Sequence, residues 1–84
     1  MHETDWGAMA QLWLDRLADC SEPGPGVTRL PFTPEHRAAL AVLTELMEHA
    51  GLAVRLDDAG TLIGRRDGPD GAPALLMGSH QDSV

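Results

Sequence analysis

His80 and Asp82, two positions apart, follow an apolar run that ends in Gly78 and Ser79, and no other residues of this chain are as well suited to chemistry. A neutral imidazole nitrogen is a good ligand for zinc and similar divalent ions. A carboxylate on the other ring N–H fixes the tautomer and raises the basicity of the ligating nitrogen. In extended backbone, positions i and i+2 point to one side, so the two side chains face together. Gly78 and Ser79 leave room for close approach by backbone or substrate. The spacing suits His80 as a metal ligand and Asp82 as the group that orients it. A surface histidine followed by a turn-forming aspartate has the same spelling, and the pair alone does not decide between the two.

The remaining candidates are weaker. His2 falls near the terminus, and His36 and His49 fall on expected helix surfaces, where each reads as a solvated polar residue. Asp57, Asp58, Asp67 and Asp70 stand in turn-forming stretches, where aspartate is common for backbone reasons. Cys20 is the single cysteine, which excludes an internal disulfide and reads as a small, partly buried apolar residue rather than a thiol nucleophile. A catalytic zinc site normally takes three protein ligands and a bridged pair takes more, whereas the pattern here supplies one. The isolated chain is therefore expected to bind metal weakly, if at all.

Composition narrows the class. At 84 residues the chain is at most one small domain, and 43% hydrophobic with 23% charged residues is ordinary globular usage. A formal net charge of −7 argues against nucleic acid and against anionic membrane, because phosphate binding needs clustered Lys and Arg and only Arg65-Arg66 is locally basic. The acidic start offers no basic segment for a secretory leader, and the apolar run around Ala38–Leu43 is too short to span a bilayer. A cytoplasmic protein is expected.

The elements that must position His80 follow from the pattern. Trp6, Met9, Ala10, Trp13, Leu14 and Leu17 recur at helical spacing, which predicts a helix capped by Thr4 or Asp5 and running to about Ala18, with its tryptophans used in packing. Pro and Gly alternate through Pro23-Gly24-Pro25-Gly26 and end it. Val27–Leu30 is a short extended segment. Thr33-Pro34-Glu35 predicts a helix start, with Thr33 as N-cap, Pro34 in the first turn and Glu35 at the positive end of the dipole. That helix runs to Ala50, with Gly51 as the residue that leaves it in left-handed geometry. Leu52–Asp57 and Thr61–Arg66 alternate around the turn Asp58-Ala59-Gly60 and predict a hairpin. The continuous apolar run Ala74-Leu75-Leu76-Met77 predicts a strand covered on both faces. Such a strand needs layers on each side, and two helices with one hairpin cover one face at most. The expected fold class is α/β, in the order helix, helix, hairpin, buried strand, forming part of a larger domain.

Several co-linear stretches carry a family resemblance. Gly26-Val27-Thr28-Arg29-Leu30-Pro31-Phe32-Thr33-Pro34-Glu35-His36-Arg37, then Ala50-Gly51-Leu52-Ala53-Val54, then Asp57-Asp58-Ala59-Gly60-Thr61, and finally Met77-Gly78-Ser79-His80-Gln81-Asp82-Ser83-Val84 stand in order. Together they resemble the opening region of the N-carbamoyl-amino-acid hydrolase and allantoate amidohydrolase group of M20-type metallopeptidase relatives. Thr61 departs from the asparagine that the group often has, and Trp6 to Leu17 fit its opening helix more loosely. The resemblance implies a zinc-exopeptidase-like three-layer domain, of which residues 1–84 are the N-terminal part, without the rest of the catalytic domain or the separate dimerisation domain. It implies hydrolysis of a carbamoyl or ureido C–N bond in a small-molecule substrate, a pair of zinc or manganese ions, and a homodimer. In it His80 is a metal ligand and Asp82 holds its imidazole. Within the same superfamily, an aminoacylase or dipeptidase is the alternative. A non-catalytic partner-binding module and an incomplete product are the alternatives outside it.

Overall fold

The computed structural model describes residues 5–83, so the expected cap Thr4 and the terminal His2 lie outside the described residues. Asp5, the other expected cap, opens the first helix, its Oδ1 accepting from the Ala8 N–H at 2.9 Å, and α1 follows as Trp6–Ala18. Thr33 caps α2 (Pro34–His49) by accepting from the His36 N–H at 3.2 Å, with proline and Glu35 in the first turn as the sequence predicts. The end of α2 is a Schellman motif. Gly51, at φ 84°, lets its own N–H reach the Glu48 carbonyl at 3.0 Å and lets the Leu52 N–H reach the Met47 carbonyl at 2.9 Å.

The hairpin forms as expected: β1 (Ala53–Leu56) pairs antiparallel with β2 (Leu62–Arg65), with Ala53 opposite Arg65 and Leu56 opposite Leu62. Its turn is organised by Asp57, whose Oδ1 accepts from the Ala59 and Thr61 N–H groups at 2.9 and 2.8 Å. Both strands lie against α2, and Gly64 of β2 sits where the close approach is tightest. A Cβ built on Gly64 meets Leu52 Cδ1 and Met47 Sδ at 2.9 Å each. Both atoms end flexible side chains, so Gly64→Ala is expected to be mild. Gly64→Val has more volume than those two can yield, and it is expected to cost about 1–3 kcal/mol, read as a lower urea midpoint by circular dichroism.

The core is thin. Ala39 is the one fully buried hydrophobic side chain among the described residues. The accessible surface is 6957 Å² for 9.0 kDa, where a compact chain of that mass exposes about 4,900 Å². The radius of gyration is 14.8 Å against about 12 Å for a compact domain of this length. The α1 stripe shows why. Trp6 and Leu14 are largely exposed, so the tryptophan packing expected from the spacing is only half realised, by Trp13. Arg16 stacks 4.5 Å from the Trp13 ring centroid and pairs with Glu45 of α2 at 2.6 Å, tying the two helices together at their surface. The Arg16 hydrogen bond holds the Glu45 carboxyl below the usual carboxylate range, although the pair is open to water and screened.

Two expectations are corrected. Ala74–Met77 forms no strand among the described residues: Leu75, Leu76 and Met77 are 86%, 92% and 83% exposed, with no ladder partner. A run that is apolar on both faces needs cover on both, and nothing in two helices and one hairpin supplies it. His36 is the second. It is buried, not solvated: Gln81 lies 3.0 Å from its ring and Phe32 packs edge-on against it, and the first of these is a long-range contact that helical spacing cannot reveal.

Candidate metal-ligand site

His80 and Asp82 come together in the structure. The imidazole Nδ1 of His80 lies 3.0 Å from the Asp82 main-chain oxygen and 3.3 Å from its Oδ1. Both neighbours are acceptors, so Nδ1 carries the proton in the neutral ring and Nε2 keeps its lone pair free. The His80 side chain is 83% exposed, which leaves Nε2 open to an incoming ion. The carboxylate that the sequence assigns to the imidazole lies slightly farther from it than the main-chain carbonyl of the same residue.

Arg29 holds the backbone behind this pair. It is 7% exposed, and no carboxylate among the described residues stands within ion-pair distance. Its Nη1 donates to the Leu17 and Cys20 carbonyls at 2.7 and 2.9 Å, at the C-terminal end of α1, and its Nε donates to the Gln81 carbonyl at 2.8 Å. The negative end of a helix dipole and oriented carbonyls are what a buried guanidinium needs in place of a counter-ion. The Arg29 peptide is clasped as well: its N–H donates to Ser83 Oγ at 2.7 Å, and its carbonyl accepts from the Ser83 N–H at 2.8 Å.

His36 supports the same segment from α2. Its Nδ1 accepts from the Phe32 N–H at 2.8 Å, which secures Phe32 at φ 63°, a conformation an aromatic residue seldom adopts. With Nδ1 accepting, Nε2 carries the proton and must donate to the Gln81 amide 3.0 Å away. Turning that amide so that Oε1 faces the ring lets it accept from the imidazole N–H.

Neither Arg29 nor His36 is recognisable as a site residue from the sequence. For His36 a signal exists: it is the third residue of α2, from which a side chain can reach back over the entering chain in the manner of a capping box. Arg29 stands within the stretch that carries the family resemblance, without any local sign of its burial. His49 is exposed, as predicted, and Asp57 and Asp67 serve turns and a local pair with Arg65.

The donor set fits one ligand position. Among the described residues no group of three His, Cys, Asp or Glu side chains converges on a point that could hold an ion. No helix among the described residues is long and apolar enough to cross a membrane.

No family model matches the chain, and no solved structure matches it. Curated relatives do. The chain is 54% identical over 69 residues to the N-carbamoyl-L-amino-acid amidohydrolase of Paenarthrobacter aurescens, covering 81% of the chain and 17% of that protein. It is 49% identical over 80 residues to the N-carbamoyl-L-amino acid amidohydrolase of Geobacillus stearothermophilus, covering 88% and 19%. Against the allantoate amidohydrolase of Escherichia coli the identity is 34% over 73 residues, covering 86% and 17%. The chain thus spans less than a fifth of the length of these curated relatives. Along the matched residues it belongs to the M20-type amidohydrolase family that includes the N-carbamoyl-L-amino-acid and allantoate amidohydrolases.

Proposed function

We propose that this chain forms the opening part of the metal-bearing domain of an amidohydrolase that cleaves the carbamoyl C–N bond of N-carbamoyl-L-amino acids. The observation that carries the reading is the ranking of identities. Two carbamoylases stand at 54% and 49%, while relatives named for ureidoglycolate and allantoate stand at 38% and 34% over similar lengths. The uncovered faces support the wider fold. The exposed α1 stripe and the bare 75–77 run have the character of surfaces that further layers of a zinc-exopeptidase-like domain cover.

In this reading His80 Nε2 holds one of the divalent ions, zinc or manganese, and Asp82 fixes the ring. A bound ion supplies polarisation of the carbonyl and activation of water. The chain's own part is to present one imidazole in one tautomer on a braced backbone. It is inactive alone, because one donor does not retain an ion against water. A cytoplasmic setting and the family's homodimer belong to the same reading, and the single cysteine is compatible with a reducing compartment.

The test is a chimera in which residues 1–84 replace the matching stretch of the Geobacillus stearothermophilus enzyme. It is expected to hydrolyse an N-carbamoyl-L-amino acid in preference to allantoate. The 84-residue chain alone is expected to show neither activity nor a stoichiometric zinc or manganese complex by calorimetry. A chimera that folds and retains metal but favours allantoate would overturn the substrate assignment, and a tight metal complex of the isolated chain would overturn the division of labour.

A further inference from the structure

We propose that Arg29 is a positioning residue for His80. Its guanidinium and its peptide group brace the backbone on either side of Asp82, so that the His80 ring is held in the Nδ1–H tautomer with Nε2 free. The proposal rests on the reading of His80 as a ligand for its purpose, while the bracing itself stands on the contacts alone.

Three features single Arg29 out. First, it is a buried cation whose partners are all carbonyls, so its place in the fold is not that of an ion pair. Second, those carbonyls belong to two elements far apart in sequence. Leu17 and Cys20 close α1, and Gln81 sits next to His80. Third, the Arg29 peptide exchanges hydrogen bonds with Ser83 in both directions, at 2.7 and 2.8 Å. Gln81 and Ser83 flank Asp82, whose main-chain and side-chain oxygens both face His80 Nδ1. The chain around Asp82 is thus tied on each side to one residue, and Asp82 in turn sets the ring.

The geometry calls for a guanidinium. The two carbonyls at the end of α1 take Nη1 and the Gln81 carbonyl takes Nε, two separate nitrogens in a rigid plane. A lysine ammonium offers a single nitrogen and cannot span both. Charge without the fork therefore does not restore the brace.

The experiment uses the metal-free 84-residue chain at pH 8, with ring ¹⁵N spectra of His80 and hydrogen exchange at the Ser83 amide. The unmodified chain is expected to show His80 mainly as Nδ1–H, the reverse of the preference of free histidine, and a protected Ser83 amide. In Arg29→Lys the helices and hairpin keep their amide shifts, the His80 signals move to the free-histidine tautomer, and Ser83 exchange rises at least about tenfold. Should Arg29→Lys fail to fold, Ser83→Ala decides. It removes only the Oγ clasp, and it is expected to shift the His80 tautomer in the same direction by a smaller amount. An unchanged His80 tautomer in a folded Arg29→Lys chain, or in Ser83→Ala where the lysine variant is unfolded, overturns the proposal. Because no metal or substrate is present, failure here is separate from failure of the chimera to hydrolyse carbamoyl substrates.

Discussion

His80→Ala in the chimeric carbamoylase is expected to lower kcat/KM about a thousandfold and to reduce the bound metal measured by elemental analysis. A thousandfold is about 4 kcal/mol of transition-state stabilisation, the scale on which a metal-bound carbonyl or water operates. Asp82→Ala is expected to be far milder. Removing a carboxylate that orients a metal-bound histidine typically costs about 10- to 100-fold. Here the lower end applies, because His80 Nδ1 lies nearer the Asp82 main-chain oxygen, at 3.0 Å, than the carboxylate, at 3.3 Å, and alanine retains that oxygen. The separation between the two variants is the informative quantity. A His80→Ala chimera that keeps its full metal content and loses less than about threefold in kcat/KM excludes His80 as a ligand. Equal, large losses for both variants place the weight on the Asp82 carboxylate instead.

What was legible in the chain was what neighbours in sequence determine. Thr33, Pro34 and Gly51 bound α2 through local hydrogen bonds and φ preferences, and Asp57 with Gly60 closes the hairpin, so these elements form as their residues predict. The approach of His80 to Asp82 is local too, a contact between positions two apart. What was hidden depends on pairs separated by tens of residues. Arg29 meets Gln81 and Ser83 across 52 and 54 positions, and His36 meets Gln81 across 45. Burial of the Arg29 cation can be inferred only once those partners are known, since nothing in its immediate surroundings distinguishes it from a solvated residue, while His36 offers only its place in the first turn of α2. The failure of Ala74–Met77 to form a strand has a different origin. Its apolar pattern implies cover on both faces, and pattern does not say where that cover lies.

That uncovered segment is expected to make the 84-residue chain associate with itself, and Leu76→Asp to weaken the association at least about tenfold. Leu75, Leu76 and Met77 are nearly fully exposed, and burying a side chain of this size contributes about 1.5–3 kcal/mol, so the three together offer about 5–9 kcal/mol. Association costs about 4–15 kcal/mol in lost freedom, so this run by itself supports only a weak contact. The exposed Trp6 and Leu14 of α1 add apolar area, and the outer edges of the short hairpin offer unpaired backbone to a second copy. Self-association in the range of tens to hundreds of micromolar, about 5–6 kcal/mol, is where these terms balance. Removing one buried leucine takes away at least about 1.5 kcal/mol, which is the tenfold expected of Leu76→Asp. Sedimentation velocity over a concentration series reads both numbers. Leu12→Asp, off the α1 stripe and 59% exposed against 92% for Leu76, is the control and is expected to change little. A chain that sediments as a monomer at every concentration, or a Leu12→Asp variant that dissociates as readily as Leu76→Asp, removes the 75–77 run as the contact. It would also weaken the case that this segment is built to be covered.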